Sequence, residues 1–208
     1  MRISKEYDER KNEILDTAER LFHTKGYEKT TINDILKEVN IAKGTFYYYF
    51  KSKEEVMDAL IERVSLIAME KVQKVAETEG MDPQEKMLHM FLAMRMEGPG
   101  EEQMLDDLHR PENALMHQKL LNYIVVNIAP LLAQVVKQGV DQGIWKCPYP
   151  LEYMKIFLAA STTLMDDGIF EQDEKSQMEI LTALLSLLET MLKAPEGSIL
   201  SVAAQYWG

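Results

Sequence analysis

TTINDILKEVNIAKGTFYYYF, residues 30–50, holds two short amphipathic segments joined by a tight break. Ile32, Ile35, Leu36 and Val39 recur at i, i+3, i+4 and i+7, which is one buried stripe on a short helix. Thr30 or Thr31 is placed to cap its start, because a hydroxyl accepts from the free N–H groups of a first turn. Asn40 follows the last stripe residue, and Asn tolerates the left-handed conformation that ends a helix. Ile41 plugs the turn. The second segment restarts near Ala42 and buries Phe46 and Phe50, four apart. Lys43, Gly44, Thr45, Tyr47, Tyr48 and Tyr49 cannot all be buried beside them. The pair reads as a helix-turn-helix, whose second helix enters a DNA major groove with its N-terminal residues foremost. The expected DNA face is Lys43, Gly44, Thr45, Tyr47, Tyr48, Tyr49 and Lys53, with Thr30 or Thr31 at a phosphate. Gly44 would act by absence, since a side chain there holds the helix off the groove.

The neighbouring residues extend the pattern. Leu21-Phe22 ends a first helix, Gly26-Tyr27 turns the chain, and Thr30-Thr31-Ile32 opens the next helix. Lys43-Gly44-Thr45-Phe46-Tyr47-Tyr48-Tyr49-Phe50 and Lys51-Ser52-Lys53-Glu54-Glu55 follow without a gap. Residues 10–60 thereby closely resemble the DNA-binding domain of the tetracycline-repressor (TetR) family. Three positions depart from that pattern: Leu36 stands where a small Ala is common, Asn40 replaces Gly, and Ala42 replaces a Ser cap. The resemblance implies an all-α fold with an N-terminal three-helix domain and a C-terminal helical ligand-binding and dimerisation domain. It also implies a homodimer on a palindromic double-stranded operator, and release by a small-molecule effector.

Charge is divided unevenly along the chain. The net charge is −11. Residues 1–55 hold 11 basic and 11 acidic side chains, whereas residues 56–208 hold 12 and 23, which accounts for all of the −11. The N-terminal part thus avoids the repulsion that the remainder would feel toward phosphate. The expected division is a DNA-binding domain at 1–55, with its helix-turn-helix at about 31–50, and a helical domain at 56–208. The lone Cys147 leaves no internal disulfide and no cysteine zinc cluster. The polar start MRISKEYDERKNE is unlike a signal peptide. No run approaches the roughly 20 apolar residues of a membrane span. A cytoplasmic protein without a cofactor is expected.

Helices are expected at about 8–24, over the two segments above, and from a Ser52 cap to about Glu79, where Gly80-Met81-Asp82-Pro83 stops and restarts the chain. Further helices should cover Pro83 to Met96, a short stretch to about His109, and Glu112 to about Gln138. Two more follow at 151–167 and 173–193, after which Pro195-Glu196-Gly197 frees an apolar tail.

In the last of these, Leu181, Leu184, Leu185, Leu188, Met191 and Leu192 form a wide apolar stripe, which Ala183 and Leu187 extend past one face. A helix apolar on more than one face has two partners. Those partners lie either within one subunit or across a four-helix dimer bundle, with Phe157, Leu164, Leu181, Leu184, Leu185 and Leu188 as interface. The family resemblance favours the dimer. Methionine supplies a third signal: six of 14 fall within residues 81–104. Met87, Met90 and Met94 share a helix face with Phe91, and Met104, Leu108 and Met116 follow. They are either core filler or the adaptable lining of a pocket for an apolar ligand. Tyr123, Asn127 and Phe157 are candidates to stack on or orient that ligand.

The cluster Asp106, Asp107, His109, Arg110, Glu112, Asn113, His117 reads as a hydrogen-bonded hinge more readily than as a metal site, since its spacing matches no ligand signature. No phosphate loop or nucleophile elbow occurs, and an enzyme is not expected. The reading is a homodimeric DNA-binding transcriptional regulator, most simply a repressor released by a hydrophobic ligand. A ligand-independent or metal-responsive regulator is the alternative.

Overall fold

The computed structural model describes residues 2–94 and 106–204, with side chains from Tyr7 onward. Secondary structure among the described residues is helical. The labelled helices are α1 (Arg2–Lys25), α2 (Ile32–Val39), α3 (Lys43–Tyr49), α4 (Lys53–Ala76), α5 (Pro83–Ala93), α6 (Ala114–Asp141), α7 (Pro150–Leu164), α8 (Glu174–Leu192) and α9 (Ser198–Ala204). A single 3₁₀ turn, Pro111–Asn113, leads into α6. By contacts the chain forms two compact units. One is Met1–Val64 with Glu97–Leu120, and the other is Ser65–Met96 with Leu121–Gly208. The unit boundaries fall inside α4 and α6.

In the first unit the stripe residues do what their spacing requires. Ile14, Leu15, Ala18 and Phe22 of α1, Ile35 of α2, Phe46 and Phe50 of the α3 segment, and Val56, Met57, Leu60 and Ile61 of α4 are all buried. Burial of side chains this size is the main favourable term in holding so small a unit together. Gly26 has a fixed reason to be glycine. Its φ is +85°, and a Cβ there would lie 2.5 Å from Glu112 Cβ.

In the second unit the core is built from α5 (Met87, Leu88, Met90), α6 (Ile128, Leu132, Val135, Val136), α7 (Met154, Phe157, Leu158) and α8 (Leu184, Leu185, Leu188, Leu192), with Trp145 from the α6–α7 loop. Two buried charges are satisfied locally. Lys86 Nζ donates to the Ala76 carbonyl at 3.0 Å and to Gln138 Oε1 at 3.2 Å, closing the end of α4. The Glu189 carboxylate accepts from the N–H groups of Gly197, Ile199 and Leu200 at 2.8, 2.8 and 3.1 Å. It caps α9 at the end where the helix dipole favours an anion. Residues 198–204 are therefore not the free tail expected: α9 packs on α5 and α8 and buries Ile199 and Ala203. The last four residues of that stretch, 205–208, lie outside the described residues.

A second expectation is also corrected. The stretch Pro111–Asp141 is long and apolar enough to cross a membrane by length and composition, with a mean hydropathy of 1.5 over its best window. Asn127 and Gln134 interrupt its apolar runs, and the Leu, Ile and Val residues around them keep the average high. Ile128, Ala129, Leu132, Ala133, Val135 and Val136 of this helix lie in the core of the second unit, so it is a core helix.

Candidate nucleic-acid interface

The helix-turn-helix is held by backbone and cap chemistry. Thr31 is the N-cap of α2: its hydroxyl accepts from Asp34 N–H, and the Asp34 carboxylate accepts from Thr31 N–H at 2.8 Å, a reciprocal capping box. The Lys25 ammonium, 2.7 Å from Asp34, and the bonds from Thr31 hold that carboxyl well below the usual carboxylate range. Asn40 ends α2 in the left-handed region, at φ 58°, and Ile41 N–H bonds back to the Leu36 carbonyl at 3.1 Å. Ala42 gives α3 no side-chain cap, the consequence of lacking a hydroxyl there. Ser52 Oγ accepts from Glu55 N–H at 3.0 Å and starts α4.

Against that frame, α3 turns a distinct face outward. Lys43, Gly44, Tyr47 and Tyr48 are exposed, paired at i and i+4 as 43/47 and 44/48. Tyr48 exposes 71% of its surface and Tyr47 45%, which places two adjacent large rings at the surface beside Lys43. The Lys43 ammonium lies 5.8 Å from the centroid of the Tyr47 ring. No heavy atom stands within 4 Å of a Cβ added to Gly44, so nothing inside the protein requires glycine there. Thr45 is half-buried, as is Tyr49, whose ring packs 4.7 Å from that of Tyr7.

Two residues expected at the DNA are engaged elsewhere. Thr30 is fully buried, and its hydroxyl donates to the Gly26 carbonyl at 2.7 Å. Lys53 Nζ donates to the carbonyls of Tyr27 and Thr30 at 2.7 and 2.8 Å and sits 4.1 Å from the Tyr27 ring centroid. Desolvation lowers its pKa. Its sequence position suggested a phosphate contact, but its length lets it reach back and close the α1–α2 turn.

That same turn is gripped by the segment at 107–113. Tyr27 N–H donates to Asn113 Oδ1 at 2.7 Å, Asn113 Nδ2 donates to the Asp107 carbonyl at 2.7 Å, and Glu28 N–H donates to the Glu112 carbonyl at 3.1 Å. Arg110 Nη1 reaches the His23 carbonyl at 2.6 Å, Lys29 pairs with Glu112 at 2.7 Å, and His23 pairs with Asp107. The expected polar hinge thus bonds to the end of α1 and the turn that leads into the helix-turn-helix. Nothing in the spacing of these residues announced their partner, some 85 residues away.

The expected ligand residues divide between the units. Met87, Met90, Phe91, Met94, Tyr123, Asn127 and Phe157 belong to the second unit, and Leu108 and Met116 to the first. Met104 lies outside the described residues. Met87 and Met90 are fully buried in the core, which fits the filler reading, while Phe91, half-buried, stacks 5.3 Å from Phe157. Asn127 Nδ2 donates to the Tyr123 carbonyl within α6.

The expected dimer residues also need revision. Phe157, Leu184, Leu185 and Leu188 lie in the subunit's own core, and Leu164 and Leu181 are half-buried. The apolar residues left open on α7 and α8 are Ile156, Ala159, Met178, Ala183 and Leu187. The helix is apolar on two faces, and the sequence could not say which one its own chain covers.

An exposed aromatic and basic face on the second helix of a helix-turn-helix, in a chain that also forms a second helical unit, defines a DNA-binding regulator. Residues 14–60 match the family described as bacterial regulatory proteins, tetR family, and residues 100–186 match a tetracyclin repressor-like C-terminal domain. The chain belongs to the TetR family of transcriptional regulators, whose members bind DNA and are not enzymes. It is 28% identical to the uncharacterized HTH-type transcriptional regulator YfiR of Bacillus subtilis strain 168, covering 94% of this chain and 98% of that one. It is 46% identical to the biofilm operon icaADBC negative transcriptional regulator IcaR of Staphylococcus epidermidis, over 25% of this chain and 28% of that protein. Among solved structures, RolR in complex with resorcinol superposes with a TM-score of 0.63 at 14% identity, covering 97% of this chain and 96% of that one. A TetR-family regulator from Pectobacterium atrosepticum superposes with 0.62 at 19%, covering 92% and 98%. At these identities the two structures speak to the fold.

Proposed function

We propose that the chain is a homodimeric repressor that reads a two-fold-related operator through α3 and leaves it when a small apolar ligand binds. Residues 1–55 carry the DNA contacts and residues 56–208 carry effector and partner. The observation that carries the DNA part is the open α3 face: Lys43, Gly44, Tyr47 and Tyr48 point outward, with Gly44 clear of internal contacts. Thr45 and Tyr49 flank it, and Thr31 stands exposed at the start of α2, where a helix N-terminus favours phosphate. The negative regulation named for IcaR, which is similar over the helix-turn-helix region, supports repression.

One helix-turn-helix contacts few bases, so two copies supply affinity and symmetry. The apolar residues left open on α7 and α8, Ile156, Ala159, Met178, Ala183 and Leu187, support a second copy as their cover. For the effector, Phe91, which stacks on Phe157, and the half-buried Met94, Tyr123 and Asn127 are the candidates that remain once Met87 and Met90 are assigned to the core. Resorcinol in RolR and triclosan in SmeT are small aromatic ligands of structural relatives and support that class here. Ligand then acts by population shift, favouring a dimer whose recognition helices no longer match successive major grooves.

Selection of duplex from a random pool by the full-length protein tests this. Recovery of a palindromic site, protected by wild type and lost with Lys43→Ala or Tyr48→Ala, is the expected result. An unenriched pool would sink the operator reading. A metal-responsive version has one supporting observation, the His109 and His117 rings 5.0 Å apart. Release from the selected duplex by micromolar zinc, reversed by chelator, would select it.

A further inference from the structure

Tyr7 lies one turn into α1, seven residues before Ile14 and so on the same helix face as the buried stripe, and its ring meets two tyrosines of α3. The Tyr7 and Tyr49 centroids are 4.7 Å apart and tilted by 38°. Tyr7 meets Tyr48 edge to face at 5.7 Å and 78°, and Tyr48 meets Tyr49 at 5.1 Å and 87°. The three rings close a triangle whose geometry matches the preferred arrangements of aromatic pairs. Only one member is far into solvent: Tyr48 is 71% exposed, while Tyr7 and Tyr49 are half-buried.

A tyrosine this exposed on a short helix would ordinarily sample several rotamers, and binding would have to freeze one. Here two rings already fix the edge of Tyr48 while its other surface stays open. Building such a clamp takes an α1 that begins well before its first core residue, Ile14. The extension from residue 2 to 13 adds no side chain to the buried core among those described. What the described part of the extension does contribute is Tyr7 on the recognition-helix tyrosines and Lys11, whose Nζ lies 5.8 Å from the Phe50 ring centroid.

We propose that Tyr7 is a positioning residue for DNA reading: it holds Tyr48 in the rotamer that meets the bases and so sets operator specificity without touching the operator itself. This rests on α3 being the DNA-reading helix.

The test is a double-mutant cycle on the full-length protein, with the duplex selected from a random pool by wild type and an unrelated duplex as control. Tyr7→Ala is expected to weaken the selected duplex on the order of tenfold, the penalty of ordering a freed side chain. Binding of the unrelated duplex should stay unchanged, and the melting temperature should fall only slightly, as the loss of two aromatic contacts requires. Tyr7→Phe keeps the ring and should bind as wild type. In a Tyr48→Ala background, Tyr7→Ala should cost nothing more, because its object is gone. Equal loss in both backgrounds would mean that Tyr7 acts on DNA by itself and would overturn the clamp. Wild-type binding by Tyr7→Ala, with loss in Tyr48→Ala, would overturn the clamp and spare the α3 reading. Wild-type binding by both Tyr48→Ala and Lys43→Ala would overturn that reading and the clamp with it.

Discussion

At the scale of single residues, similar sequence positions turn out to hold different physics. Gly44 and Gly26 are both glycines of the N-terminal unit. Gly26 is required by its φ of +85° and by the Glu112 side chain against it, while Gly44 has open space around it. Glycine inside a helix costs about 0.5–1 kcal/mol relative to alanine. Gly44→Ala should therefore raise unfolding stability by roughly that amount, read by thermal melting, yet weaken operator binding by holding α3 off the groove. A variant that binds as tightly as wild type would remove the close-approach argument. Lys53 is the converse case. A lysine at a duplex interface would contribute one unit to the salt slope of binding, but here the ammonium is bonded to the Tyr27 and Thr30 carbonyls. Lys53→Ala is expected to lower stability by about 1–3 kcal/mol, the cost of leaving carbonyls and a part-buried contact unmet, and to leave the salt slope as it was. A slope reduced by about one unit with unchanged melting would return Lys53 to the DNA face.

At the scale of elements, α2 depends on charge placed at its first turn. Lys25 and Thr31 lower the pKa of Asp34, so this carboxylate stabilises the folded state by remaining ionised. A depressed folded pKa gives a contribution present above the unfolded value, near 4, and lost as pH falls toward the folded one. Glu112 shifts the same way because Lys29 bonds to it. The melting temperature should be level from neutral pH down to about 5 and fall below about 4. Asp34→Asn, already without the charge, should fall less steeply. An identical acid limb in both proteins would show that Asp34 contributes nothing through ionisation. Both groups are half-exposed, so solvent screening keeps the difference modest.

At the scale of the whole molecule, the proposed assembly turns on α8. Adjacent residues on it face opposite surroundings: Leu187 is exposed and Leu188 fully buried. Leu188→Glu should unfold the second unit, because a buried unpaired charge is far costlier than a cavity, and even Leu188→Ala should cost about 2–5 kcal/mol. Leu187→Glu should keep its helical circular dichroism and sediment as a monomer at concentrations where wild type is dimeric. A folded Leu187→Glu that still sediments as a dimer would place the second copy elsewhere.

The sequence alone determined the helical class, the helix-turn-helix and its family, because those rest on local signals. Ile32, Ile35, Leu36 and Val39 keep a 3.6-residue period, Asn40 stops the helix in the left-handed region as expected, and the Lys-Gly-Thr-Phe-Tyr-Tyr-Tyr-Phe run has few other uses. Helix starts at Pro83 and near Glu174 were legible from Pro and Asp caps for the same reason. What depends on distant partners was not. Which threonine is buried at 30–31, and where the Lys53 ammonium goes, follow from the fold of the turn around Tyr27. Tyr7 meets Tyr48 and Tyr49 across some 40 residues, and Asn113 meets Tyr27 across 86. On α8, a period of apolar residues marks two faces but does not say which one its own chain will cover. Only the tertiary structure decides that, by packing α7 and α9 on α8, burying Leu184, Leu185 and Leu188 and leaving Leu187 in the open.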